Sequence, residues 1–188
     1  MNKKALYIII FLIFQAMSNI AIAAIGDWKA YMAYSDVQEI EQAGNLIFVQ
    51  ASNDLYVYNK NDQSIQTFSK IDYLNDCEIQ HIAYNKASQR LLIIYTNGNI
   101  DLMNVNNYEV TNLSDYQNAT TTGDKTVNDI YMNGKYAYLS NGFGIVKLNM
   151  ANGEISDTYN LGFAVNWCEL MATQSMLTVL QMANIVPL

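Results

Sequence analysis

Charge is scarce in this chain of 188 residues: Asp, Glu, Lys and Arg together make 14%, with 10 basic residues against 17 acidic ones. The formal net charge of −7 leaves no positive footprint for a phosphate backbone, which points away from nucleic acid as a partner. A single proline is too little for a proline-rich linker. One histidine and two cysteines cannot build an ordinary zinc site without carboxylate help. G-x-S-x-G, H-E-x-x-H, phosphate-loop and dinucleotide fingerprints are all missing, so no cofactor, metal or catalytic residue is assigned and the chain is read as a non-enzyme. What is plentiful is apolar and aromatic: 51% of residues are hydrophobic and 14 are tyrosine, a composition that excludes intrinsic disorder.

The start of the chain is an export signal. Met1-Asn2-Lys3-Lys4 is basic, Ala5 to Phe14 is an uncharged apolar run, and Ala21-Ile22-Ala23 is a small-x-small cleavage pattern. A spanning helix needs about 20 continuous apolar residues, and Gln15, Ser18 and Asn19 interrupt this one. Residues 1–23 are therefore expected to be a cleaved signal helix, with membrane contact only before cleavage. Their loss removes Lys3 and Lys4 and no acid, taking the net charge from −7 to −9. The exported product is expected in the periplasm, at the outer-membrane surface or outside the cell. There Cys77 and Cys168 meet disulfide-permissive conditions, but the expected state of Cys77 is a buried free thiol.

The body of the chain repeats. Ala51-Ser52-Asn53-Asp54-Leu55-Tyr56, Tyr95-Thr96-Asn97-Gly98-Asn99-Ile100 and Leu139-Ser140-Asn141-Gly142-Phe143-Gly144-Ile145 align on asparagines 53, 97 and 141, spaced 44 residues apart twice over. Asn-Asp and Asn-Gly tolerate positive φ at both central positions, as tight hairpin turns require. In the third repeat, Asn-Gly pairs at 133–134, 141–142 and 152–153 separate four runs rich in aromatic and β-branched residues, which reads as an antiparallel meander. Four strands in 44 residues is the size of a β-propeller blade. The predicted fold is all-β: an incomplete propeller over 36–166 with blades at about 36–70, 76–112 and 125–160, preceded by a lead-in segment, 24–35. A plain β-sandwich is the alternative for so many short strands.

These residues, with the start Ile25-Gly26-Asp27-Trp28-Lys29-Ala30-Tyr31-Met32-Ala33-Tyr34, resemble the N-terminal β-propeller of PorZ-type proteins over about 25–166. Related propellers form the sensor regions of two-component regulators. The resemblance implies an exported, surface-associated part of the type IX secretion system, a binding or scaffold module whose partners are other surface secretion components or surface polysaccharide. A sensor propeller and a propeller glycosidase or lyase are the competing functions.

After Val165-Asn166 the pattern breaks. Residues 167–188 carry no turn signal and lean helical, being rich in Leu, Met, Ala and Gln. Met171-Ala172 and Met182-Ala183 are each encoded ATG-GCN, and a one-base-early frame through both reads GGC, glycine. With permitted flanking codons the first becomes an Asn-Gly hairpin resembling Asn133-Gly134. The expectation is a frameshift near 167–170 that truncates a longer propeller, leaving an aggregation-prone open arc with unburied blade faces.

Candidate chemistry is thin. Asp36, Glu39, Glu78 and Asp129 lie near first strands, where carboxylates can face a propeller's central channel, as the glycosidase or lyase reading needs. His81 has no nucleophile or orienting partner nearby in sequence and reads as structural. Asn59-Lys60-Asn61-Asp62 and Asp124 sit in loops without calcium-loop spacing. Asn112-Leu113-Ser114 and Asn118-Ala119-Thr120 match the glycosylation sequon. Trp28, Tyr31, Tyr34, Tyr56, Tyr58, Tyr95, Tyr136 and Tyr138 suit packing between blades or stacking on sugars.

Overall fold

The computed structural model describes residues 34–120, 123–171, 176–181 and 184–187. The signal peptide 1–23 and, in the lead-in segment, Trp28 and Tyr31 lie outside them. Antiparallel meanders follow one another along the chain. The first sheet is β1 (Val37–Ala43), β2 (Leu46–Ala51), β3 (Asp54–Asn59) and β4 (Ile65–Phe68). The second is β5 (Ile79–Asn85), β6 (Arg90–Tyr95), β7 (Ile100–Asn104) and β8 (Val110–Asn112). The third is β9 (Val127–Asn133), β10 (Tyr136–Asn141), β11 (Gly144–Asn149) and β12 (Glu154–Asn160). A single-turn helix, α1 (Asp115–Asn118), bridges the second and third. The fold is all-β, as the repeat predicts.

The sheets are stacked as blades, and the core lies between them in layers. Phe48, Leu55, Val57 and Phe68 of the first blade meet Ile82, Leu91, Ile93 and Tyr95 of the second. Leu92, Ile94 and Leu102 of the second meet Ala137, Leu139, Val146 and Leu148 of the third. Adjacent residues of β6 therefore point into different cores, which explains why Leu91-Leu92-Ile93-Ile94-Tyr95 is apolar without a break. The first strands of successive blades, β1, β5 and β9, lie against one another and form the inner wall.

A fourth sheet occupies the segment whose composition leans helical: β13 (Trp167–Met171), β14 (Met176–Gln181) and β15 (Asn184–Pro187), in that order. β13 packs on β9 and β10 of the third blade, and Cys168 is fully buried among Tyr138, Ile145 and Val165. Helix preference among these residues is worth tenths of a kcal/mol each. Strand pairing on an already formed blade outweighs it.

The three marker turns differ in backbone. Only the first has positive φ at both central residues, Ser52 at 51° and Asn53 at 68°. At the second, φ is positive at Gly98 alone, and the Asn97 side chain accepts the Asn99 N–H at 2.9 Å. At the third, Asn141 Oδ1 accepts the N–H groups of Phe143 and Gly144 at 3.1 and 3.0 Å. Asparagine thus serves all three turns, twice through its side chain. Gly144, at φ 150°, cannot be replaced freely, because a Cβ there would collide with the Tyr159 carbonyl of β12.

Candidate functional site

Each inner strand carries the same irregularity at the same place. Val37 pairs with Ala51 and Glu39 with Gln50, so Gln38 is an extra residue. Ile79 pairs with Tyr95 and His81 with Ile94, leaving Gln80 extra. Val127 pairs with Asn141 and Asp129 with Ser140, leaving Asn128 extra. These are one-residue β-bulges, which bend a strand and re-aim the side chain that follows. A β-branched residue, an amide and a third residue recur as Val37-Gln38-Glu39, Ile79-Gln80-His81, Val127-Asn128-Asp129 and, at the fourth blade, Val165-Asn166-Trp167.

The amides bind blade to blade. Gln80 Nε2 donates to the Val127 carbonyl at 3.0 Å, and Asn128 Nδ2 donates to the Val165 carbonyl at 2.8 Å. At the first joint Gln50 takes this part, donating through Nε2 to the Ile79 carbonyl at 2.7 Å and to Gln38 Oε1 at 2.9 Å. Main-chain bonds run the same way: Ile79 N–H to the Asn53 carbonyl at 3.1 Å and Val165 N–H to the Asn141 carbonyl at 2.9 Å.

The residues after the bulges line a groove of about 320 Å³ with Glu39, Glu41, His81, Asn128 and Asp129 on its wall. His81 spans three blades. Its Nδ1 lies 2.5 Å from Glu39 Oε1 of the first, and its Nε2 lies 3.0 Å from the Val127 carbonyl of the third. The carbonyl can only accept, so Nε2 carries a proton. Glu39 uses its other oxygen to accept the Ile82 N–H at 2.7 Å. The bond to Glu39, against the opposing effect of burial, raises the His81 pKa, and the charge of Asp129 adds to it. Burial raises the pKa of Glu41 and of Asp129.

Of the four channel-side carboxylates expected from sequence, Glu39 and Asp129 reach the groove. Asp36 and Glu78 are exposed in the bends before β1 and β5, where their carbonyls accept the N–H groups of Ser52 and Thr96. Glu39 is engaged by His81 and Ile82, an anchoring arrangement rather than a free acid–base pair. Asn59 and Asp62 accept from their own turns, as does Asp124 from Thr126. No three His, Cys, Asp or Glu residues among the described residues converge to hold a metal. Asn112 spends its amide on Asn99, Ile100 and Asp101, whereas Asn118 is exposed.

The tyrosines mostly pack. Tyr34 meets Tyr56 edge-on at 5.2 Å, and Lys147 lies 4.3 Å over the Tyr136 ring and 5.7 Å from that of Tyr138. Tyr58 is half-buried. Tyr95 is buried and donates at 2.6 Å to Asp101, a fully buried carboxylate that also accepts two bonds from Asn75 and one from Asn112. Cys77 and Cys168 are both free. Cys77 is exposed, not buried as expected, because it ends a surface loop in which Asp76 captures its N–H. Burial pushes the Cys168 thiol up to about 11.

The bulge triplets, invisible to a search for catalytic motifs, were legible as a recurring β-branched–amide pair in the aligned repeats. No helix among the described residues is long and apolar enough to cross a membrane.

Known proteins bear on this arrangement. The family model described as the type IX secretion PorZ N-terminal beta-propeller domain matches residues 47–186, running through the segment whose composition breaks the repeat. The structure of PorZ, a surface component of the type IX secretion system of Porphyromonas gingivalis, superposes with a TM-score of 0.79 at 28% identity, over 86% of this chain and 22% of that one. The extracellular domain of a one-component system from B. thetaiotaomicron superposes with a TM-score of 0.63 at 14% identity, over 85% and 22%. A hybrid two-component system's extracellular domain from the same organism gives 0.57 at 17%, over 81% and 20%. The chain thus spans about a fifth of the length of each of these structures. The last two likenesses show the fold alone. No curated protein matches the chain.

Proposed function

We propose, from the premise that the chain belongs to the PorZ N-terminal β-propeller family, that it is an exported, non-catalytic binding and scaffold module of type IX secretion, working at the cell surface. Its partners on this reading are other surface components of that machinery, with surface polysaccharide as a second class of ligand. One observation carries the non-catalytic part. The polar groups of the inner wall are tied to neighbouring blades: Gln50, Gln80 and Asn128 bond main-chain carbonyls, and His81 is bonded at both ring nitrogens. A hydrolase needs an acid and a base free to exchange protons with substrate. Here Glu39 is held by two donors.

The test is cross-linking of the tagged protein in cells of its own host, combined with protease shaving of intact cells. Accessibility at the surface and covalent capture of secretion components are expected. Retention inside the cell, or capture of none of those components, counts against the proposal. Incubation with isolated surface polysaccharide separates the second ligand class: retention without cleavage fits, and release of shortened saccharide overturns the non-catalytic reading.

A further inference from the structure

The joint between blades is built by one rule used repeatedly. The β-branched residue opening an inner strand is buried by the preceding blade, and its carbonyl accepts a side-chain amide from that blade. Ile79, Val127 and Val165 are 2%, 1% and 0% exposed, whereas Val37, at the equivalent place in the first blade, is 48% exposed. Ile40 and Ile65 lie on the first blade's outer face, in register with Val49 and Tyr58, and are 62% and 63% exposed. At the other end Asn166, which follows Gln80 and Asn128 in the triplet series, is exposed. The chain thus bears a donor half of this joint at one end and an acceptor half at the other.

We infer that these two halves dock a second copy of this chain, Asn166 of one copy donating to the Val37 carbonyl of the next, with Ile40 and Ile65 covered by the partner's fourth blade. The occupant follows from continuity: the contact repeats between copies the joint the chain makes within itself, and one copy carries both complementary halves. The joint is directional, so the contact is head-to-tail and forms a ring only if its rotation closes. Two arcs of four blades fall within the four to eight blades of ordinary propeller rings. The inference goes beyond the surface role proposed above and does not depend on it.

Light scattering of the purified protein across a dilution series tests it. The unsubstituted protein is expected as a dimer. Asn166→Ala is expected to weaken association about tenfold by removing a buried hydrogen bond. Val37→Asp and Asn166→Asp are each expected to give folded monomers, folding being checked by circular dichroism and cooperative melting. Mixing those two monomers is decisive, since a Val37→Asp copy keeps its donor end and an Asn166→Asp copy keeps its acceptor end. The mixture is expected to form a heterodimer through the one intact joint. A monomeric unsubstituted protein, an assembly indifferent to all three substitutions, or a mixture that stays monomeric overturns the inference.

Discussion

The first and second blades are drawn to the same four-stranded plan, yet they treat apolar residues in opposite ways. In the second, Leu91 through Tyr95 are all fully buried, alternate residues entering the cores on either side. In the first, Phe48 and Leu55 are sealed on the face toward the second blade, while Ile40 and Ile65 on the other face stand open to solvent. Strand sequence alone does not decide burial in this architecture. The neighbouring blade does, which is why stacking rather than any single sheet supplies the core.

That contrast can be broken in stages. Ile93→Ala and Leu92→Ala should each cost about 3–4 kcal/mol in urea unfolding, because they excavate separate cores. A near-neutral result for either would mean that one face of the second blade is not a true core. Asp101→Ala should cost about 2–3 kcal/mol by stranding the donors of Tyr95, Asn75 and Asn112, with Tyr95→Phe costing less. A smaller, pH-dependent effect belongs to His81, which joins the two blades. Its pKa is raised in the fold, so its stabilisation is complete below the unfolded value of about 6.5 and is lost as pH rises through the folded value. Raised carboxyl groups act in the same direction at lower pH, so Glu41 and Asp129 also make stability fall as pH rises. The decline in melting temperature above neutrality should flatten in His81→Gln; an unchanged profile would remove His81 from the joint. Least of all, Ile65→Thr on the open face should change stability by no more than about 0.5 kcal/mol.

Much of the fold was legible because turns and period are local. Asparagines 53, 97 and 141 mark hairpins, and the strands between them fall where alternating and apolar runs place them. The tail was not, since weak helix preference in 167–188 competes with pairing that exists only once the third blade is formed. Glu39 and Asp129 were identified as channel-side, but the role of His81 was hidden by distance. Its partners Glu39 and Val127 lie 42 and 46 residues away, one blade to each side. Asp101 was overlooked for a similar reason: a carboxylate inside an alternating strand looks solvated until Asn75 and Asn112 are brought to it from elsewhere in the chain.

The bulge in each inner strand separates two jobs along a few residues. Before it, Ile79 and Val127 must be buried and branched; after it, the position holds Glu39, His81 or Asp129 in turn. The extra amide residue acts as a phase break, so the chemistry facing the axis can be rewritten one blade at a time without retuning the cores. A wall built this way is modular, a mosaic of interchangeable tiles on a fixed frame, and redesigning its ligand preference calls for changing tiles, not the frame.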